Sequence, residues 1–278
     1  MSTTTNITHQ TAPTPPVQPQ SLRKLHSIYR APGLHWVGDG FRVSGYFSAI
    51  PDVVRRMDPF LLLDYHPPYD YAPTERPRGV GVHPHRGFET VTLAWQGSVA
   101  HHDSAGGGGV IGPGDVQWMT AASGILHKEY HEESYARRGG PFQMAQLWVN
   151  LPRAKKQMAP EYQGVQGETM PVDERDGQRI HTIVGASSPA ALHTEVEYLD
   201  VTLLADGSFD RVIGAGQSTL LYVLDGAVTV GAREVPRGHA LVLGEGELRA
   251  RGRAGTRVAW LRGKPHGEPI RHRGPFVD

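Results

Sequence analysis

Thr90-Val91-Thr92-Leu93-Ala94-Trp95-Gln96-Gly97-Ser98-Val99 alternates polar and apolar side chains and then meets a glycine. Residues two apart in a strand share a face, so the stretch reads as a β-strand that turns at Gln96-Gly97. A second copy follows downstream as Thr219-Leu220-Leu221-Tyr222-Val223-Leu224-Asp225-Gly226-Ala227-Val228, with Gly97 and Gly226 in register. Further on, Pro113-Gly114-Asp115-Val116 has a counterpart in Pro236-Arg237-Gly238-His239-Ala240-Leu241. Two features repeated in the same order predict a duplicated unit. Asp225-Gly226 suits a tight hairpin, because glycine accepts the positive φ that such turns demand. The fold class is therefore mainly β, with each copy a small antiparallel β-barrel domain of the jelly-roll kind.

The rest of the chain fits that frame. Its 34 glycines and 22 prolines punctuate short apolar runs, and no segment keeps a helical apolar period for long. Gln146-Leu147-Trp148-Val149-Asn150-Leu151 alternates as Thr90 does, and its Gln146, Trp148 and Asn150 face is expected to border something polar. Residues 1–20 are polar and proline-rich and read as a disordered tail. The first barrel is expected over residues 21–154, a charged connector over 155–192 and the second barrel over 193–278. Lys plus Arg and Asp plus Glu both number 28 in 278 residues, which gives none of the basic excess of a nucleic-acid or anionic-membrane binder. With no cysteine, disulfides, thiolate metal sites and a cysteine nucleophile are excluded. No apolar stretch approaches the roughly 18 residues of a membrane helix, and no secretory signal opens the chain. A cytoplasmic location is the expectation.

The chemistry concentrates in His83-Pro84-His85 and His127-Lys128-Glu129. Within each triplet the outer residues share a strand face. On two adjacent strands inside a barrel, His83, His85, His127 and Glu129 would surround one point. Imidazoles and a carboxylate suit iron, manganese, nickel, copper or zinc, whereas calcium and magnesium prefer all-oxygen shells. Four protein donors leave two positions of an octahedral ion open for substrate.

Around these residues the chain resembles the pirin family of the cupin superfamily. The matching text is Asp58-Pro59-Phe60-Leu61-Leu62-Leu63-Asp64, HPHRGFETVT from His83, PGDVQWMTAASGILHKE from Pro113, QLWVNLP from Gln146 and GPFV from Gly274. The resemblance runs from about Tyr29 to the end of the sequence. It implies a bicupin with one divalent ion in the first barrel, usually iron(II), held by His83, His85, His127 and Glu129; manganese, nickel, cobalt, copper and zinc are the other candidates. It also implies either of two functions. One is a quercetin 2,3-dioxygenase acting on a flavonol and O2, with Glu129 as its base. The other is a metal-dependent regulator working through a protein partner, without direct nucleic-acid or membrane contact.

Several features depart from the pattern or compete with it. Ala122 stands where the family usually has glycine, and Gly106-Gly107-Gly108-Gly109 suggests a mobile loop. Glu89 stands at the HxHxxxE spacing of ordinary cupins and is expected to orient a ligand or substrate beside the ion. His101-His102-Asp103 reads as a rim feature, since at most one of two adjacent histidines can face inward. Asp64-Tyr65-His66-Pro67-Pro68-Tyr69-Asp70-Tyr71 reads as a rigid loop over the barrel mouth or as an ordinary connector. Phe88, Trp118, Met119 and Trp148 are candidate pocket walls. In the second copy Val212 and Gly214 replace His83 and His85, while Arg251 and Arg253 are expected near the places of His127 and Glu129, leaving that barrel without metal.

Overall fold

The computed structural model describes residues 25–30, 32–46, 53, 56–191 and 193–278; the tail expected over residues 1–20 lies outside them. The strands of the first half are β1 (Leu25–Arg30), β2 (His35–Val37), β3 (Phe41–Gly45), β4 (Phe60–Tyr71), β5 (Gly79–His85) and β6 (Phe88–Gln96). They continue as β7 (Val99–Asp103), β8 (Gly108–Ile111), β9 (Val116–Thr120) and β10 (Ile125–His131). A short helix α1 (Glu133–Arg138) then leads to β11 (Gly140–Asn150) and β12 (Glu161–Val165). The second half holds β13 (Val172–Arg175), β14 (Gln178–Val184), β15 (Val196–Leu203), β16 (Gly207–Ile213), β17 (Ser218–Asp225) and β18 (Ala227–Val230). It ends with β19 (Arg233–Pro236), β20 (His239–Leu243), β21 (Gly246–Gly252), β22 (Arg257–Gly263), β23 (His272–Arg273) and β24 (Phe276–Val277).

One seven-stranded sheet, β12-β9-β6-β11-β4-β3-β2, faces the four-stranded sheet β5-β10-β7-β8. The second barrel repeats this order as β1-β20-β17-β22-β15-β14-β13 against β16-β21-β18-β19. Element for element the topologies match, so the repeat read from the turn glycines extends to the whole fold.

Alternation along β6 explains how the barrels meet. Val91 and Leu93 point away from the first barrel's interior, with Val116 and Trp118 of β9 and Ala145 and Leu147 of β11. They pack on Leu220, Tyr222, Ala259 and Leu261 of the second barrel, so the largest apolar core lies between two large sheets set back to back. Tyr46 donates to the Tyr222 hydroxyl at 2.9 Å there, and Trp95 Nε1 donates to Asp200 Oδ2 at 2.7 Å.

Four expectations change. β1, counted within the first barrel, pairs with β20 of the second and fills the edge that β12 fills in the first. The connector over 155–192 contains three strands, with β12 serving one barrel and β13 and β14 the other. The tyrosine- and proline-rich stretch from Asp64 is no loop: β4 pairs with β11 from Phe60 to Tyr71, which no proline prevents because the ladder shifts register near His66. Gly106–Gly109 form the turn and first pairs of the β7–β8 hairpin, so the run is an ordered close approach of backbone rather than a mobile loop.

Candidate metal centre

β5 and β10 lie side by side in the antiparallel sense, and their register sets His83 directly opposite His127. His85 follows two residues later on the same face. Ring centroids are 4.2 Å apart for His83 and His127, and 4.8 Å apart both for His83 and His85 and for His85 and His127. Donor atoms of the three rings all lie within 4.8 Å of one another.

The protonation chemistry suits a cation. Burial first, then the neighbouring imidazoles, push His85 down to about 3 and His127 to about 2, so both rings are neutral near pH 7. His83 Nδ1 lies 2.8 Å from the Gly81 carbonyl, which can only accept, so Nδ1 carries the proton and Nε2 keeps its lone pair. His85 Nδ1 and His127 Nε2 are buried and meet no hydrogen-bond partner, an arrangement that an ion would relieve. This donor set fits one divalent transition metal.

Glu129 sits slightly apart. The β5–β10 ladder shifts register between His127 and Glu129, which pairs with Val80 on one side and with His101 of β7 on the other. Its carboxylate belongs to a second triplet within 4.8 Å, His101, His127 and Glu129. The four residues read from the sequence therefore fall in two overlapping groups that share His127. Both Glu129 oxygens accept amide hydrogens, Oε1 from Gln117 Nε2 and Oε2 from Gln146 Nε2 at 2.8 Å. Gln117, Thr92 and Gln146 form one row across β9, β6 and β11, so the polar border expected of Gln146 is this carboxylate.

Sequence reasoning missed the inward role of His101, which is fully buried at 0% exposure, its ring 5.1 Å from that of His127. Its signal was the His101-x-Asp103 spacing, equivalent to that of His83 and His85. His102 does face outward, stacked on Tyr130. Tyr162, stacked on His101 at 4.9 Å, carried no signal.

Phe88 and Trp148 stack at 4.3 Å and both lie against His85, forming an aromatic wall. Val277 of β24 closes its far side, packed with Leu61 and Phe88. Lys156 pins that segment by donating to Gly87 O, Asn150 Oδ1 and Val277 O. Beside His85 a cleft of about 270 Å³ opens between Arg86, Ser123, Leu126 and Phe276. Met119 is buried with Ile125 beside Tyr162, whereas Trp118 is no wall, since it faces the core between the barrels.

Glu89 shares that outer face. Trp118 Nε1 and Thr120 Oγ1 donate to its Oε1 at 3.0 and 2.8 Å, so it neither orients a ligand nor pairs with Arg86. Burial raises its pKa above the ordinary carboxylate value.

The second barrel is filled where the first is polar. The row Thr92, Gln117, Gln146 becomes Leu221, Leu241, Trp260. Ala250 pairs with Val230 as Glu129 pairs with His101, which puts Leu248 and Ala250, not Arg251 and Arg253, at the places of His127 and Glu129. Arg251 instead pairs with Thr229, as Tyr130 pairs with Ala100, and faces outward. Counting from the glycines before the strands missed by three residues because the intervening turns differ in length.

The Pirin family model matches residues 40–149, and that of the Pirin C-terminal cupin domain matches residues 198–278. A Pseudomonas aeruginosa protein provisionally named quercetin 2,3-dioxygenase is 43% identical over 265 residues, 92% of each chain. This chain belongs to the pirin family. Human pirin is 34% identical over 236 residues, 81% of this chain and 78% of its own. The crystal structure of a quercetin 2,3-dioxygenase from Acinetobacter baumannii superposes with a TM-score of 0.87 at 41% identity, covering 92% of each chain. The two barrels are thus those of a bicupin. No helix among the described residues is long and apolar enough to cross a membrane.

Proposed function

We propose that the protein is a flavonol 2,3-dioxygenase in which His83, His85, His127 and Glu129 hold one divalent ion, iron(II) first among the candidates. The observation that carries this reading is the convergence of His83, His85 and His127, with buried unpartnered nitrogens on His85 and His127, beside an aromatic wall and an open cleft. The names of relatives from Pseudomonas aeruginosa and Acinetobacter baumannii support it. When bound, the ion supplies Lewis acidity to the 3-hydroxyl and 4-oxo oxygens of a flavonol and lowers the pKa of that hydroxyl.

The chain's own groups do the rest. Half-buried Trp148, backed by the fully buried Phe88 ring, offers an aromatic surface to the flat substrate. A cleft of about 270 Å³ falls just below the roughly 300–1,000 Å³ of ligand sites, so a flavonol would be gripped at its chelating edge and left partly exposed. Glu129 accepts the 3-hydroxyl proton, and ring opening with O2 releases carbon monoxide.

The test is oxygen uptake and carbon monoxide release on mixing iron-loaded protein with quercetin, against a flavone that lacks the 3-hydroxyl. Turnover of quercetin alone is expected. Absence of turnover with iron, manganese, nickel, cobalt and copper alike would favour a metal-dependent regulator acting through a protein partner.

A further inference from the structure

His101-His102-Asp103 and the glycine run that follows play no part in holding substrate, yet they converge on one of the candidate ligands. His101 Nδ1 lies 3.4 Å from His127 Nδ1, and His101 Nε2 lies 3.4 Å from Asp103 Oδ2. The side chains of His101 and Asp103 are 0% and 1% exposed. The other Asp103 oxygen, Oδ1, accepts the backbone N–H groups of Ala105 and Gly107 at 2.8 and 2.9 Å. Glycine is required here: a Cβ at Gly107 would stand 2.4 Å from Asp103 Oδ2, and one at Gly108 2.7 Å from the His101 carbonyl. Tyr162 stacks on His101 and closes the outer side.

We infer that Asp103 and His101 are positioning residues that fix the tautomer of His127 and aim its Nε2 at the ion. The inference rests on the metal-centre reading above. The order of protons follows from donor chemistry alone. A carboxylate only accepts, so His101 must present Nε2–H to Asp103. His101 Nδ1 faces His127 Nδ1, and a neutral ring that gives its one proton from Nε2 to Asp103 can only accept there. The His127 nitrogen facing it must donate, which leaves His127 Nε2, buried and unpartnered, with a free lone pair. An aspartate therefore selects a ligand atom through an intervening imidazole, a longer version of the common carboxylate–histidine–metal pairing.

Asp103→Asn tests this with nearly unchanged shape. Its carbonyl oxygen would keep the two turn N–H groups, so its NH₂ would face His101 Nε2. That reverses both rings and puts a proton on His127 Nε2, against the ion. The expected loss is about 10–100-fold in affinity for iron(II) or cobalt(II), by chelator competition on protein whose melting curve is unchanged. His101→Gln can accept from His127 and donate to Asp103, so it should keep most of the affinity that His101→Ala loses. Independently of any metal, imidazole ¹⁵N shifts in the metal-free protein should show His127 protonated on Nδ1 in the wild type and on Nε2 in Asp103→Asn. Wild-type His127 protonated on Nε2, Asp103→Asn binding as tightly as wild type, or His101→Gln binding as weakly as His101→Ala would each overturn the relay. A wild type with the expected tautomer that binds no metal would sink the metal reading instead.

Discussion

Glu129 sits between two amides, and each of its oxygens accepts one amide hydrogen, so an incoming proton meets an occupied acceptor on either side. Proton uptake at Glu129 thus requires one amide to turn. Gln117 is fully buried, while Gln146 is half-buried and can swing its Oε1 toward a protonated Glu129. Glu129→Gln, compared with wild type at equal metal content, should lower quercetin turnover about 10²–10⁴-fold, the usual effect of losing a general base. Equal turnover in an oxygen-electrode assay would take Glu129 out of proton transfer. The other buried carboxylate should behave differently. Glu89 has a folded pKa above its unfolded value of 4.5 because it is desolvated, so its protonated form favours folding. Stability should be greatest below that unfolded value and fall as pH rises through the folded pKa. Glu89→Gln should flatten this decline in urea titrations run across pH, while leaving metal content unchanged.

At the scale of single strands and turns, the sequence told which faces exist but not where each strand restarts. Alternation gave β6 and β11 and made Gln146 border a polar feature. Glu89 misled because the HxHxxxE count assumes an unbroken strand. Gly87, at φ 87°, turns the chain between β5 and β6 and resets the parity, so Glu89 emerges on the opposite face. The register shift after His127 was equally invisible, being a matter of which strand lies alongside. His101 could have been found, since its spacing from Asp103 is the spacing that marked His83 and His85. Two turns carry expectations of their own. Ala122 holds φ 41°, where an L side chain costs roughly 1–2 kcal/mol. Ala122→Gly should therefore raise unfolding stability, by at most about 1 kcal/mol once glycine's extra chain entropy is counted. A lower urea midpoint would show that the buried methyl contributes more than the strain. Gly107→Ala would drive a methyl into Asp103 and should weaken metal binding as Asp103→Asn does.

Over the whole molecule, one duplicated fold has been filled in two ways. The first barrel keeps histidines and glutamines inside, and the second packs Leu221, Leu241, Leu248, Ala250 and Trp260 at matching places. One ion per chain is expected by elemental analysis, and a stoichiometry near two would contradict the proposed site. The barrels also depend on each other through polar contacts between them. Asp200 accepts from both Trp95 and Arg257, each at its own side of the interface. Asp200→Ala would leave a largely buried cation without its partner and should cost about 3–5 kcal/mol in chemical unfolding. A loss under 1 kcal/mol would mean that water replaces the carboxylate.

The pairing of β1 with β20 also orders events during synthesis. The ribosome delivers β1 before any strand of the first barrel, yet its partner near Ala240 emerges only after that barrel is made. A pairing so distant along the chain forms late and slowly, and β1 waits outside as an unpaired edge. His83, His85, His127 and Glu129 are all translated long before Val277 arrives to back the aromatic wall. In a nascent chain these four side chains are thus in place while one side of the proposed site stands open, so the proposed ion has its donors before the aromatic wall is backed.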